Sequence, residues 1–424
     1  MLAAPLVYGQ NDRLGTLGLH ALGEQTMTTD WKALESRYYM HVVNRQPMVL
    51  ERGNGVRVWD VDGKEYLDFT AGWAVTNLGH NHPAVTQAIQ EQAATLMQTS
   101  NQFYSIPQLK LAEALVESSC LDKVFFANSG AEANDGAVKL ARKFGKLHRD
   151  GAYEVITMMN SFHGRTIGMV AATGNPHYQD QWHPLAPGFV NVPFDDLEAV
   201  RAATTDKTCA VMVEVVQGEG GVNVPTEGYL KGLREWCDEK GMLLIFDDIQ
   251  CGVGRLGTMW GYELFGVEPD VMTLAKGLGN GVPIGAFLCN ERANVLEPGD
   301  HGSTFGGNPL ATAASNATVR YMLKHDVPRH AKKVGAYLFA RLQELRTRHP
   351  ASIKEVRGVG LLLAVQLSDT ISAKLVAACN EEGLLLNAVR PDAIRLIPPL
   401  IITEADADEA VEKIERGLVR ITAD

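Results

Sequence analysis

Met242-Leu-Leu-Ile-Phe246-Asp247 is an apolar run that ends in a carboxylate, and Val271-Met-Thr-Leu-Ala275-Lys276 is a second that ends in an amine. Runs this short, apolar throughout and bounded by polar residues, read as strands buried on both faces of a parallel sheet. Side by side they would set Asp247 and Lys276 together at their C-terminal ends, where open α/β sheets hold ligands. An acid after a strand often caps the next helix, so Asp247 alone says little. Lysine is rarely buried without a partner, so Lys276 is hard to account for as packing.

Working outward, further apolar runs at residues 124–127, 155–158 and 211–215 alternate with helical stretches between about residues 109 and 322. That alternation predicts an α/β protein whose large domain has a mainly parallel central sheet with helices on both faces. Residues 48–63 alternate apolar and polar around Asp62-Gly63 and predict small antiparallel strands; residues 83–97 have helical spacing. Past about residue 325, Lys/Arg/Glu-rich helices mix with short strands at 360–367 and 394–396, which predicts a smaller α/β domain. The expected divisions are a disordered or peripheral leader over 1–26, a segment over 27–75 joining the small domain, a large domain over 76–324 and a small domain over 325–424. Met27 is an alternative start.

With 424 residues and 46% hydrophobic side chains, the chain can bury a large core. Its 39 basic and 50 acidic residues are spread out, and no Lys/Arg cluster tracks a phosphate backbone, so nucleic acid is not an expected partner. Six scattered cysteines lack disulfide or metal spacing, which fits a reducing cytoplasm. No apolar stretch is long and charge-free enough to span a bilayer, so no membrane partner is expected.

The turn Asn128-Ser129-Gly130-Ala131-Glu132-Ala133-Asn134 follows an apolar run and opens a helix. It reads equally as a simple strand-to-helix turn or as a phosphate site using free N–H groups. His301-Gly-Ser-Thr-Phe-Gly-Gly-Asn-Pro309 offers Thr304 as a second phosphate contact, or is only a glycine turn before a helix near Leu310. With a Schiff-base lysine and an acid to keep a pyridine nitrogen protonated, the set is the minimum equipment for pyridoxal phosphate. Gly252-Val-Gly254-Arg-Leu-Gly257 matches a dinucleotide fingerprint, but it does not follow its strand directly and Asp270 precedes the next strand. His80-Asn-His82-Pro83 has no third ligand nearby and reads as a turn or cap; no metal is expected.

Together with Asp68-Phe-Thr-Ala-Gly-Trp-Ala-Val-Thr-Asn-Leu-Gly-His80, Ser161-Phe-His-Gly-Arg-Thr166, Gln217-Gly-Glu-Gly-Gly221 and Lys276-Gly-Leu-Gly279, these segments resemble the class III, fold type I aminotransferases from about residue 40 onward. The wording around 160–166, 217–222 and 301–309 is most similar to the acetylornithine branch. The resemblance implies that Lys276 binds pyridoxal phosphate, Asp247 pairs with its ring nitrogen, Gln250 lies near its hydroxyl and Phe162 stacks on its face. Ser129, Gly130 and Ala131 would hold the phosphate, and Thr304 would reach the cofactor of the neighbouring subunit in a homodimer. Asp248 stands where the family usually has Glu, and Trp73 fills a pocket position that is often Ile or Tyr.

The resemblance further implies transfer of the ω-amino group of N-acetylornithine to 2-oxoglutarate through pyridoxamine phosphate, in arginine biosynthesis. 4-Aminobutyrate, ornithine or another ω-amino acid is the alternative donor, and an amino-acid racemase or epimerase the more distant one. Arg395 would clamp the α-carboxylate of glutamate and be neutralised by Glu219 when an ω-amine donor occupies the site. Arg165, assisted by Ser303, would hold the far carboxylate.

Overall fold

The computed structural model describes residues 29–423; the expected leader over 1–26 lies outside them. The described residues up to Val49 belong to one compact unit and those from Leu50 onward to a second. The first holds a helix, Trp31–Tyr38, whose N-terminus is capped by Asp30 Oδ1 accepting from Ala33 N at 3.0 Å.

The second begins with β1 (Leu50–Asn54), β2 (Arg57–Asp60) and β3 (Glu65–Asp68), an antiparallel set. The expected turn at Asp62-Gly63 joins β2 to β3, and Gly63 takes the left-handed φ of +83° that the turn requires. The central sheet is built from β4 (Lys123–Ala127), β5 (Glu154–Met158), β6 (Phe189–Val192), β7 (Thr208–Val213), β8 (Leu243–Asp247), β9 (Val271–Leu274) and β10 (Gly285–Cys289). Its order is β4-β10-β9-β8-β7-β5-β6. All its neighbours are parallel except β10, which runs antiparallel to both β4 and β9. The mainly parallel sheet is therefore as expected, with one reversed strand added.

Every residue of β7, β8, β9 and β10 is buried, which is why the runs that became β7, β8 and β9 stood out in the sequence; β10, equally buried, was not expected. The period of two divides them between two cores. Leu243 and Ile245 of β8 pack with Ala137, Leu140, Ala141 and Phe144 of the helix Gly130–His148, whereas Leu244 and Phe246 join the larger core on the other face. The run expected over 211–215 stops at Val213, because Glu214 turns inward to accept hydrogen bonds from two loop N–H groups.

β11 (Ile353–Val359), β12 (Leu362–Leu367), β14 (Asn387–Arg390) and β15 (Ala393–Leu396) form an antiparallel sheet in the order β11-β12-β15-β14. β13 (Leu384–Leu385) instead pairs in parallel with β3.

The glycine-rich stretch 252–257 binds no strand end; it carries Arg255, which is fully buried. Its guanidinium donates to Asn77 Oδ1 and to the carbonyls of Leu361 and Pro398, joining three separate parts of the chain. Burial, with the charge of Arg395 nearby, lowers its pKa to about 9. Arg255→Met would leave those acceptors without a donor and is expected to destabilise the protein by about 2 kcal/mol. A lower denaturant midpoint at unchanged slope would register this, and an unmoved midpoint would refute it.

Candidate active site

β8 and β9 are parallel, with Asp247 opposite Thr273, so the acid and Lys276 emerge from adjacent strands at one edge of the sheet. Asp247 is 3% exposed, and its carboxylate is gripped from behind. Oδ2 accepts from Asn134 Nδ2 at 2.8 Å and lies 2.7 Å from His163 Nδ1, and Oδ1 accepts from Ile249 N at 3.1 Å. Burial resists a charge on His163, but the hydrogen bond and charge of Asp247, with Glu214 adding, outweigh it and raise its pKa. Glu214 is itself pushed up to about 7 by burial. Asp248 faces away from this group and accepts from Gly261 N at 2.8 Å; burial raises its pKa to about 7.

Lys276 sits at φ +41°, a left-handed conformation that costs a non-glycine residue about 1 kcal/mol. It lines a cavity of about 430 Å³ together with Asp247, Phe162, Glu219 and Gln250. Burial lowers the Lys276 pKa; the charge of Glu219 works against this and that of Arg395 adds to it. At the other end of the cavity the helix Gly130–His148 begins, capped by Ser129. The N–H groups of Gly130 and Ala131 belong to its first turn, where no intrahelical acceptor exists, and the helix dipole is positive there. A Cβ on Gly130 would come within 2.8 Å of Ile249 Cδ1, so a larger residue there would have to displace the Ile249 side chain. An anion cradle, a ring-sized space, a fixed carboxylate and an amine fit pyridoxal phosphate in chemistry and in order.

Arg165 also lines the cavity, its guanidinium held 4.1 Å from the centre of the Tyr178 ring and 5.4 Å from that of Phe162. Arg395, on β15, is fully buried. It donates to Glu219 Oε1 at 2.8 Å, to Gln250 Oε1 at 3.0 Å, and through Nε and Nη2 to Asn387 Oδ1 at 3.0 and 2.7 Å. Burial favours a neutral Glu219, yet Arg395 and then Lys276 hold its pKa at about 2. Gln250 completes the group by donating to Glu219 Oε1 at 3.2 Å.

Three expected site residues stand apart from this cavity. Thr304 is exposed. Ser303 Oγ accepts from Asn128 Nδ2 at 3.0 Å and from Gly306 N at 2.9 Å. Trp73 is 54% exposed on a turn where Ala71, Gly72, Trp73 and Ala74 all have left-handed φ values. Among the histidines set aside above, His80 Nε2 bonds Asp68 Oδ2 at 2.8 Å, and His82 stands at the N-cap of the helix Pro83–Ala93. No group of three or more potential metal ligands converges among the described residues.

Asn134, His163, Glu214 and Asn387 received no role from the sequence. Glu214 carried a signal, since a carboxylate inside the run Val213-Glu214-Val215-Val216 must be buried and satisfied. His163 and Asn134 lay within quoted motifs, but only the fold brings them to one oxygen of Asp247.

The family model for class III aminotransferases matches residues 38–418. An acetylornithine aminotransferase of Methanocaldococcus jannaschii is 48% identical over 395 residues, covering 92% of this chain and 98% of the relative. Among solved structures, the ornithine aminotransferase from Toxoplasma gondii ME49 superposes with a TM-score of 0.88 at 36% identity, covering 93% of this chain and 95% of that one. The acetylornithine aminotransferase from Elizabethkingia anophelis gives 0.82 at 35%, covering 92% and 98%.

Proposed function

The chain belongs to the class III aminotransferases, and we propose that it moves the ω-amino group of N-acetylornithine to 2-oxoglutarate, in arginine biosynthesis. The enzyme depends on pyridoxal phosphate and uses an amino donor and a 2-oxo acid in turn. The observation that carries the donor class is the ion pair between the fully buried Arg395 and the half-buried Glu219. Arg395 is fully buried and its other acceptors, Asn387 and Gln250, are neutral, so leaving it without a counter-charge is costly whichever substrate is present. Glutamate brings an α-carboxylate beside its reacting carbon; an ω-amine brings none. Glu219 supplies the missing charge in the second case and swings aside in the first, leaving Arg395 free for a planar two-bond grip.

Bound pyridoxal phosphate supplies an electron-poor ring that stabilises negative charge on the donor's amine-bearing carbon. Gly130 and Ala131 would hold its phosphate, Phe162 its ring face, Asp247 its nitrogen and Lys276 its aldehyde carbon. Lys276 is then the base that takes the proton from the donor carbon, and its lowered pKa leaves more of the amine neutral for that work. Arg165 would bind the donor's distant carboxylate.

Ser303 would assist Arg165, Trp73 would bear on the donor pocket, and Thr304 would act in a homodimer by reaching the neighbouring subunit's phosphate site. In support, Met97, Phe103, Tyr104, Ile106, Leu109 and Phe305 are large exposed apolar residues. Their segment is tied to the loop around Thr304 by Asn101 Nδ2, which donates to Ser303 O at 2.9 Å and Gly306 O at 3.2 Å. A patch of that kind marks a protein–protein surface. No helix among the described residues is long and apolar enough to cross a membrane, and we place the enzyme in the cytoplasm.

Ornithine is the second reading, favoured by the T. gondii likeness. A panel of N-acetylornithine, ornithine and 4-aminobutyrate, each with 2-oxoglutarate and assayed for glutamate, decides between them. N-Acetylornithine is expected to give the highest kcat/KM. No turnover with it, beside turnover with another donor, would overturn the assignment.

A further inference from the structure

Glu219 can serve as a movable counter-charge only if the backbone beneath it does not move as well. That backbone, Gln217-Gly218-Glu219-Gly220-Gly221, is held on every side. Gly218 N donates to Glu214 Oε2 at 3.0 Å, and Gly220 O accepts from Asn223 Nδ2 at 3.2 Å. Two arginines then reach the carbonyls that follow Glu219. Arg390 Nε donates to Gly220 O at 2.7 Å, and Arg357 Nε donates to Gly221 O at 2.8 Å. Each is anchored at its far end, Arg390 by Nη2 on Asn160 Oδ1 at 3.2 Å and Arg357 by Nη1 on Gln366 Oε1 at 3.0 Å. Gly221 has φ +113°, and a Cβ there would lie 2.8 Å from Arg390 Nε, so this approach requires glycine.

Arg357 lies on β11, Arg390 on β14 and Arg395 on β15, three strands of one sheet. The sheet that carries the switched cation therefore also carries the two donors that fix the loop of its counter-ion. We infer that Arg357 and Arg390 are positioning residues that lock the Glu219 backbone to this sheet, so that Glu219 changes partner by side-chain rotation alone and ω-amino donors are preferred over α-amino acids. This rests on the Arg395–Glu219 exchange proposed above. Neither arginine lines the cavity, and neither touches Arg395 or Glu219 through its side chain in any hydrogen bond described.

Loosening the loop weakens the state in which Glu219 covers Arg395, which is the state an ω-amine donor needs. It leaves the glutamate-bound state, in which Arg395 has let go of Glu219, largely as it was. The test uses the cofactor-loaded enzyme and follows each half-reaction separately by cofactor absorbance, once with N-acetylornithine and once with glutamate. Arg390→Ala is expected to lower kcat/KM for N-acetylornithine roughly tenfold, the scale of one charge-assisted hydrogen bond, and to change that for glutamate less than twofold. Arg390→Lys, which can still reach one carbonyl, is expected to recover part of the loss, and Arg357→Lys to show a smaller loss of the same sign.

Glu219→Ala measured alongside separates the two levels of the proposal. If Glu219→Ala shifts the donor ratio and Arg390→Ala does not, the clamp is wrong and the exchange stands. Equal losses in both half-reactions for Arg390→Ala would also overturn the clamp, since a merely structural role produces that pattern. If neither variant moves the ratio, the exchange falls and the clamp with it.

Discussion

Lys276→Ala is expected to lower turnover by roughly 10⁴-fold with every donor, the upper range for removing a positioned proton-transfer group. The loss should fall on kcat, because the residues proposed to hold phosphate, ring and carboxylates are untouched. Gly130 and Ala131 still open the helix Gly130–His148 onto the cavity, and Asp247 keeps its contacts with Asn134, His163 and Ile249. The variant should therefore bind the cofactor without the absorbance band of a lysine-linked carbonyl. The left-handed turn at position 276 is set by its surroundings, so alanine inherits the same strain and the fold should persist. Steady-state turnover with each donor, together with a cofactor titration, provides the check. A kcat within tenfold of the parent would refute the role given to Lys276.

The sequence was most legible where burial is uniform. β8 and β9 are buried along their whole length, and the runs ending at Asp247 and Lys276 showed this directly. β10 was missed, although it is equally buried, because it opens with the small Gly285 and Ala286 and so carries little apolar bulk, and its antiparallel direction leaves no mark in the sequence. The short β6 was missed for a different reason: its residues are mostly half-buried and Asn191 interrupts it.

Within the site, residues next to strand ends could be placed from the chain alone. The network behind Asp247 could not, since Asn134, His163 and Asp247 come from three distant segments. Arg395 and Glu219 are 176 positions apart, and the resemblance to a family joined them where local pattern could not. The left-handed turn at residues 71–74 was equally invisible, because three of its four residues are not glycine.

Asp247→Asn should cost about 10³-fold in kcat, the scale of losing one preorganised electrostatic partner. The carboxylate uses Oδ2 to receive both Asn134 Nδ2 and His163 Nδ1, and Oδ1 to receive Ile249 N. An asparagine has only one acceptor atom. If its oxygen faces Asn134 and His163, its NH₂ meets the Ile249 N–H and points a donor at the ring nitrogen. If it flips, the buried Asn134 donor loses its acceptor, and His163 can meet the amide only as a neutral ring accepting at Nδ1. In neither orientation does it hold a proton on that nitrogen, so the ring withdraws electrons less.

A second readout is independent of turnover. His163 is held above the usual histidine pKa of about 6.5 by Asp247 against the opposing effect of burial. With asparagine only the weaker help of Glu214 remains, and the pKa should fall below 6.5 in a ring-proton NMR titration of the cofactor-free protein. The sign for stability follows from linkage. A raised folded-state pKa contributes stability that is complete below about 6.5 and disappears as pH rises through the folded value. The parent's stability advantage over Asp247→Asn should therefore shrink from pH 6 towards alkaline pH, to the extent that it comes from His163. An advantage that grows with pH, or a kcat within threefold of the parent, would show that Asp247 does not hold a charged partner in place.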